Sequence, residues 1–187
     1  MAEAGALQAR LVDTNVLIVA SAADAGSPFG AEATPIEEAA LRQQVFDWLE
    51  AFVADPTRHA VLDVDWHVCG EYRHKLTEQD YGWLAMMHKM DRGEVVWVDV
   101  LLDKNDNAVL PPELAEAVTD LADRKMVAAA LAALDAGHAC QITNAADTDW
   151  IDCREALHAV GLEVENLLPD WLQARWRQKH PPVRRAK

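Results

Sequence analysis

The sequence has no long apolar run and few cysteines, and both absences narrow the kinds of protein that it can encode. No stretch approaches the roughly 18 apolar residues that a membrane-spanning helix needs, so we expect no membrane association. The three cysteines, Cys69, Cys140 and Cys153, are too widely spaced for a disulfide framework or a zinc motif, and we expect reduced thiols in a cytoplasmic protein. The first residues, MAEAGALQARLVD, lack the basic and then apolar order of a secretory signal.

Several common cofactor and catalytic motifs are also missing. The chain contains neither G-x-G-x-x-G nor a P-loop, so neither a dinucleotide nor a nucleotide fold is indicated. The spacing of His67, His74 and His88 is not that of zinc ligands. A phosphatase of the haloacid-dehalogenase type would carry a second aspartate two positions after the first, and Asn15 occupies that place.

Basic residues are scarce in most of the chain. The first 174 residues hold 11 basic and 31 acidic side chains, a net charge of −20, whereas the last thirteen, RWRQKHPPVRRAK, hold six Lys or Arg and no acid. An acidic body argues against nonspecific binding of polyanions and suits a cation or a basic partner. We expect residues 1–174 to form a single domain and residues 175–187 to form a basic, partly flexible tail.

Short apolar segments alternate with helical patterns along nearly the whole chain. Strands are predicted at residues 9–12, 59–64, 94–102, 139–143 and 162–168. Helices are predicted between them, with alanine-rich LADRKMVAAALAAL as the clearest example. This alternation predicts an α/β fold with a parallel sheet that helices cover on both faces.

Three local signals predict where helices begin and end. The segment TPIEE has Thr34 as a candidate N-cap and Pro35 in the first turn. Thr77 and Asp80 have the spacing of a capping box. The segment WIDCREALHAV predicts one helix that ends at Gly161.

Acidic residues follow the first and fourth predicted strands. Asp13 comes directly after the first strand, Asp147 follows the fourth after a short loop, and Asp149 lies two residues further. Ligands of open parallel sheets bind beyond the carboxyl ends of the strands, which makes these acids candidates for a site. Thr14 or Asn15 offers an N-cap for the next helix, and Asp13 itself could also serve as a cap.

Two further acids lie where helices meet the predicted core. Asp123 is four residues before Val127, at the head of an apolar helical stripe, and Glu71 lies beside the inward stripe of another helix. Each has a local explanation, because Glu71 could pair with Arg73, His74 or Lys75, and Asp123 with Arg124 or Lys125. Several such acids without an equal number of inward bases indicate a site for a hard divalent cation, Mg²⁺ or Mn²⁺.

Four segments in order, LVDTNVLIVAS, CGEYRHKL, LADRKMVAAAL and ITNAADTDW, resemble the motif blocks of PIN domains, which are small metal-dependent nucleases. Many PIN domains are the toxin ribonucleases of type II toxin–antitoxin pairs. The resemblance covers about residues 10 to 172. It implies a three-layer α/β/α sandwich around a central parallel sheet, with acids that converge in one cleft and hold Mg²⁺ or Mn²⁺.

The resemblance assigns a site residue by residue. The catalytic, metal-binding acids would be Asp13, Glu71, Asp123 and Asp147, with Asp149 as a further ligand that some members have. Asn15 matches a polar residue of the family pattern. This chain departs from the pattern at Ala145, where a threonine or serine is usual, and the choice between Asp147 and Asp149 therefore stays open. The segment 21–55 is also longer than in a minimal toxin.

The resemblance also implies a mechanism. A metal ion held by carboxylates lowers the pKa of a bound water and stabilises charge on the phosphate. Thr14 and Asn15 would orient the ligands through hydrogen bonds. The RNA backbone would be contacted by Arg73, Lys75, Arg124 and Lys125, unless these are solvated flanking charges.

The expected partners are single-stranded or structured RNA, a cognate antitoxin protein and a second copy of the chain in a homodimer. The alternative from another class is a non-catalytic PIN-like interaction protein that binds a basic partner through its acidic surface. Cleavage of RNA that requires a divalent cation would distinguish the two.

Overall fold

The computed structural model describes residues 7–181, and no helix in that part of the chain is long and apolar enough to cross a membrane. Its centre is a five-stranded sheet in the order β3-β2-β1-β4-β5, and every pairing is parallel. The strands are β1 (Gln8–Val12), β2 (Arg58–Asp63), β3 (Val95–Val98), β4 (Ala139–Asn144) and β5 (Glu163–Asn166). The predicted parallel α/β fold is confirmed.

Helices cover the sheet on both faces and complete the predicted three-layer α/β/α sandwich. They are α1 (Thr14–Ala23), α2 (Ala39–Ala54), α3 (His67–Lys75), α4 (Tyr81–Asp91), α5 (Pro112–Ala117), α6 (Leu121–Asp135), α7 (Asp149–Asp152), α8 (Arg154–Ala159) and α9 (Pro169–Lys179). The helices α1, α2 and α4 pack against one another, whereas α6 packs across four strands, β1 to β4. A short 3-10 turn, Ala31–Ala33, lies between α1 and α2.

The central strand β1 carries the middle of the core. Leu11 and Val12 are fully buried, as are Val16 and Leu17 at the start of α1 and Val127 in α6. A parallel strand with helices on both faces has no solvent side, which is why the consecutive residues Leu11 and Val12 of β1 are both apolar and both buried. Complete burial of one such aliphatic side chain contributes roughly 1.5–3 kcal/mol. The polar residues that follow β1 are thereby held at a fixed place on the sheet edge.

The helix start predicted at Thr34 is wrong, because α2 begins at Ala39. Thr34 Oγ1 accepts a hydrogen bond from the backbone N–H of Ile36 at 3.3 Å and closes a short turn instead. Ile36 is fully buried, and the guanidinium of Arg42 donates to the carbonyl oxygens of Ile36 and Glu37 at 2.8 and 2.7 Å. These tertiary contacts hold the segment outside the helix.

The third strand is shorter than predicted. The apolar run predicts a strand over residues 94–102, whereas the strand ends at Val98. Beyond it the chain leaves the sheet and turns back on itself, since Asp103 Oδ1 accepts hydrogen bonds from the backbone N–H groups of Asn105 and Asn107 at 2.7 and 3.1 Å. The apolar run therefore continues past the last position where β2 offers a pairing partner.

Two more predicted boundaries differ from the structure. The helix α4 begins after Asp80 rather than at Thr77, although Asp80 Oδ2 accepts from the Thr77 backbone N–H at 2.6 Å. The helix predicted over WIDCREALHAV is broken into α7 and α8 at Cys153, whose Sγ lies 3.2 Å from the carbonyl oxygen of Ala117.

The predicted basic tail starts inside a helix. The last helix, α9, continues to Lys179, so residues 175–179 of the predicted tail are helical. Residues 182–187 lie outside the described part of the chain.

Candidate metal centre

The candidate centre lies where the strand order reverses. The strands β1 and β4 are neighbours, and the chain moves away from them towards opposite edges of the sheet, which opens a crevice at their carboxyl ends. Asp13 follows β1 directly, and its backbone N–H donates to the carbonyl oxygen of Thr143 in β4 at 3.0 Å. Asp147 follows the end of β4, and Asp123 lies in the first turn of α6.

Three of the predicted acids meet in this crevice. Asp13, Asp123 and Asp147 each place a carboxylate oxygen within 4.8 Å of the others. None of the three forms an ion pair with any residue from 7 to 181. Three unpaired carboxylates at this separation fit a hard divalent cation, which prefers oxygen ligands. The cleft around them has a volume of about 220 Å³, and Thr14, Asn15, Glu71, Lys75 and Asp120 also line it.

Asp13 is held by hydrogen bonds to both of its oxygens. Oδ1 accepts from the backbone N–H of Asn15 at 3.0 Å, so Asp13, rather than Thr14 or Asn15, is the N-cap of α1. Oδ2 accepts from Nε1 of the buried Trp150 at 2.6 Å. Burial raises the pKa of Asp13 from 3.8 to about 6, and the hydrogen bonds from Asn15 and Trp150 oppose part of that rise.

The other two acids have raised pKa values as well. Burial raises the pKa of Asp123 from 3.8 to about 8, and the nearby carboxylates of Asp13 and Asp147 add to the rise. Burial also raises the pKa of Asp147, with a hydrogen bond from the Asp149 N–H acting in the opposite direction. Without a cation, the three acids therefore cannot all ionise easily at neutral pH.

A network of amide side chains fixes the loop that carries Asp147. The fully buried Asn144 accepts from Asn15 Nδ2 and from the Asp147 backbone N–H, both at 3.0 Å, and donates to the Asp147 carbonyl oxygen at 2.8 Å. Asn15 Oδ1 in turn accepts from the backbone N–H groups of Ala145 and Ala146 at 2.8 and 3.0 Å. The first turn of α1 is thereby joined to the loop after β4.

Glu71 lies in the same cleft but outside the group of three. Its carboxylate pairs with Lys125 Nζ at 2.7 Å and with His74 Nδ1 at 3.4 Å. The local pairing with His74 that the sequence left open is therefore present, together with a longer-range pair to α6.

Asp149 faces a neighbouring cavity rather than the group of three. Its carboxylate lies 3.6 Å from Lys179 Nζ, at the end of α9. The cavity has a volume of about 290 Å³ and is also lined by Asp120 and Asp123. Asp147 is thus the acid of this loop that meets Asp13 and Asp123.

The four predicted RNA contacts are placed differently from one another. Arg124 donates to the carbonyl oxygens of Val118 and Ala115 at 2.8 and 2.6 Å, which commits it to the end of α5. Arg73 pairs with Glu78 at 3.2 Å, and Lys125 pairs with Glu71. Lys75 lines the cleft and is exposed.

Sequence reasoning missed Asp120 and the roles of Asn144 and Trp150. Asp120 is the N-cap of α6, accepts from the backbone N–H groups of Ala122 and Asp123, and raises the pKa of all three clustered acids. Its position before LADRK is an N-cap signal that was readable in the sequence. No local pattern indicates the long-range contacts of Asn144 and Trp150.

Comparison of the chain with protein-family models, curated proteins and solved structures gives no match. The assignment of the site therefore depends on its own geometry. A larger cavity of about 670 Å³ opens at the other end of the strands, near Gln8, Ala139 and Glu163. Glu163 there pairs with His158, and the cavity has no group of converging carboxylates among the described residues.

Proposed function

We propose that this protein is a divalent-metal-dependent endoribonuclease of the PIN type. One observation carries the proposal: the carboxylates of Asp13, Asp123 and Asp147 lie within 4.8 Å of one another at the switch point of a parallel sheet, without a basic partner among the described residues. The order and spacing of the sequence blocks that resemble PIN domains support the choice of a nuclease among cation-binding proteins.

The chain's own residues would bind and orient the reactants. Asp13, Asp123 and Asp147 would hold Mg²⁺ or Mn²⁺, partly through water, because Mg²⁺ loses its hydration shell reluctantly. The bound ion would supply a nucleophilic water at neutral pH and stabilise charge on the phosphate. Lys75 and Glu71 both line the cleft, and in this proposal Lys75 would contact the RNA backbone and Glu71 would orient a water.

The test is cleavage of single-stranded RNA by purified protein with Mg²⁺ or Mn²⁺, with and without EDTA. We expect cleavage that EDTA abolishes. The Asp13→Asn variant should lose at least about a hundredfold in rate, since even changes behind the ligands cost 10–100-fold. Asp91→Asn, at an exposed position at the end of α4, is the matched control and should cleave at the wild-type rate.

Cleavage at the wild-type rate by a contaminant-free Asp13→Asn preparation would refute the assignment of Asp13. Absence of both cation binding and cleavage in the wild-type protein would favour the alternative, an acidic PIN-like interaction protein with a basic partner.

The same proposal extends to a toxin with a cognate antitoxin. We expect expression of the wild-type chain in bacteria to arrest growth and expression of the Asp13→Asn variant to be tolerated. A partner that neutralises the toxin should restore growth in the first case. Equal growth with both chains, at equal protein levels, would contradict the toxin role.

A further inference from the structure

The indole N–H of Trp150 reaches across the sheet edge to the candidate metal centre. Trp150 lies in α7, three residues after Asp147, and its Nε1 donates to Asp13 Oδ2 at 2.6 Å. The side chain is 2% exposed, so packing holds the ring and the direction of its N–H fixed. The two residues are 137 positions apart in the chain, and no local pattern brings them together.

Each carboxylate oxygen of Asp13 accepts one hydrogen bond. The Asn15 backbone N–H occupies one acceptor position of Oδ1, and the Trp150 N–H occupies one of Oδ2. A carboxylate has about four acceptor positions in all, so each oxygen keeps one for a cation. The two donors therefore determine the plane of the carboxylate and the direction of its remaining lone pairs.

The segment from Asp147 to Trp150 also contributes to the centre twice. Asp147 supplies a carboxylate oxygen to the group of three, and Trp150 orients the carboxylate of Asp13. A displacement of α7 would thus move one acid and release another. This arrangement couples the geometry of two acids that come from different strands.

We propose that Trp150 is a positioning residue for the metal centre, which holds the carboxylate of Asp13 in the orientation that binds a divalent cation. The inference rests on the proposed cation site and extends it to a residue that does not touch the ion. Groups that orient metal ligands typically contribute 10–100-fold to metal affinity or activity. We expect an effect of that size from the loss of this single N–H.

The experiment is a titration of purified protein with Mn²⁺ alone, with Mn²⁺ binding followed by electron paramagnetic resonance. Trp150→Phe removes the donor, and the dissociation constant for Mn²⁺ should rise by about 10–100-fold. The matched control is Trp48→Phe, which removes an indole N–H that faces the carboxylate of Glu165 at 3.4 Å, outside the centre. The control should bind Mn²⁺ as wild type does.

A second variant separates positioning from packing. Benzothienylalanine introduced at position 150 by amber suppression keeps the size and shape of the ring and replaces the N–H by sulfur. It should weaken Mn²⁺ binding as much as Trp150→Phe does, and its near-ultraviolet circular dichroism in EDTA should stay native. A purely structural role of Trp150 would leave Mn²⁺ binding intact in this variant.

Two results overturn the inference in different ways. Wild-type affinity for Mn²⁺ in the folded benzothienylalanine variant would show that the N–H does not position Asp13, while the cation site itself would stand. Absence of Mn²⁺ binding in the wild-type protein would refute the proposed cation site, and the inference about Trp150 would be refuted with it.

Discussion

Two buried acidic regions of the molecule handle their charge in opposite ways. Glu94, just before β3, is 7% exposed and pairs with Lys89 Nζ at 2.7 Å and with Arg92 Nη2 at 2.6 Å. The Lys89 ammonium is fully buried and also donates to the carbonyl oxygens of Asp55 and Arg58 at 2.8 and 2.7 Å. All three N–H groups of the Lys89 ammonium therefore have acceptors inside the protein.

The cleft at the ends of β1 and β4 has the opposite character. Asp13, Asp123 and Asp147 converge there, and none of the three has an ion-pair partner among the described residues. Burial by itself would raise the pKa of Glu94, but Lys89 and Arg92 lower it, whereas the pKa of Asp123 rises to about 8. Lys89 and Arg92 favour the ionised form of Glu94, whereas the surroundings of the three acids in the cleft favour their protonated forms.

The contrast shows that the buried Glu94 is compensated by bases of the chain itself, whereas the three acids of the cleft are not. Leaving a buried charge without compensation is strongly destabilising, so a cluster of unpaired acids is costly. A divalent cation bound from solution, as proposed above, would offset this cost because it would supply the positive charge that these acids lack.

The largest expected effect comes from removing the internal base. Lys89→Met leaves Glu94 and two backbone carbonyls without their shared donor, and breaking a buried pair in this way costs about 3–5 kcal/mol. Urea denaturation at pH 7 measures the free energy of unfolding. Lys104→Met, at an exposed position in the loop after β3, is the control and should change stability by less than about 0.5 kcal/mol. A loss below about 1 kcal/mol for Lys89→Met would contradict the structural role of this pair.

The second prediction concerns charge and pH in the cleft. A carboxylate whose folded pKa lies above its unfolded value stabilises the fold at low pH, and that contribution is lost as pH rises through the folded pKa. For Asp123 the loss should extend from about pH 4 to about pH 8 in the metal-free protein. Asp123→Asn keeps the shape and removes the charge, so this variant should be more stable than wild type at pH 7.5 in EDTA.

Added Mn²⁺ should reduce that difference in stability. Wild type should gain about 2.7 kcal/mol at a free Mn²⁺ concentration 100 times the dissociation constant, whereas the gain of Asp123→Asn should shrink or vanish. Urea unfolding across pH, in EDTA and in Mn²⁺, gives both quantities, with Asp91→Asn as the control. A wild type that gains nothing from Mn²⁺ and a variant that gains nothing in EDTA would mean that these acids share no cation.

The smallest effect distinguishes the two acids of the loop after β4. Asp147→Asn should reduce RNA cleavage at least about a hundredfold, as Asp13→Asn should, because Asp147 meets the other two carboxylates as a proposed ligand. Asp149→Asn removes the partner of the half-exposed Lys179. An exposed ion pair contributes less than about 1 kcal/mol, so the RNA cleavage rate should fall by less than roughly fivefold. Both variants are compared in the same assay. If the Asp149 change alone abolishes cleavage, the match to the family pattern through NAADTDW is off by two residues.

The sheet was readable from the sequence because its strands are short, apolar and separated by amphipathic helices. The predicted start of β1 at residue 9 and the observed start at Gln8 differ by one position, and β4 extends one residue beyond the predicted segment. The helix predicted at Thr34 failed because the buried Ile36 and the donors of Arg42 outweigh the local cap signal. Local propensity is a weak guide wherever tertiary contacts determine the backbone.

Part of the candidate centre could be predicted from the sequence. Asp13 and Asp147 were predictable because parallel strands bring their carboxyl ends to one edge of the sheet. The pairing of Glu71 with Lys125 was not, because it joins two residues of different helices that are 54 positions apart in the chain. The Trp150 contact depends on the path of the loop after β4, and that path is fixed by the buried side chain of Asn144.

The long separation between β1 and β4 has a consequence for the newly made chain. Asp13 and its partner Trp150 are 137 residues apart, and a chain emerges from the ribosome from its N-terminus at about 5–20 residues per second. Asp13 is therefore synthesised roughly 7 to 27 seconds before the residues that complete the cleft. During most of that interval β4 and Asp147 have not been synthesised, so β1 can pair only with β2 and the three acids cannot meet. A nascent chain thus carries no assembled centre until translation has passed the fourth strand and the loop that follows it.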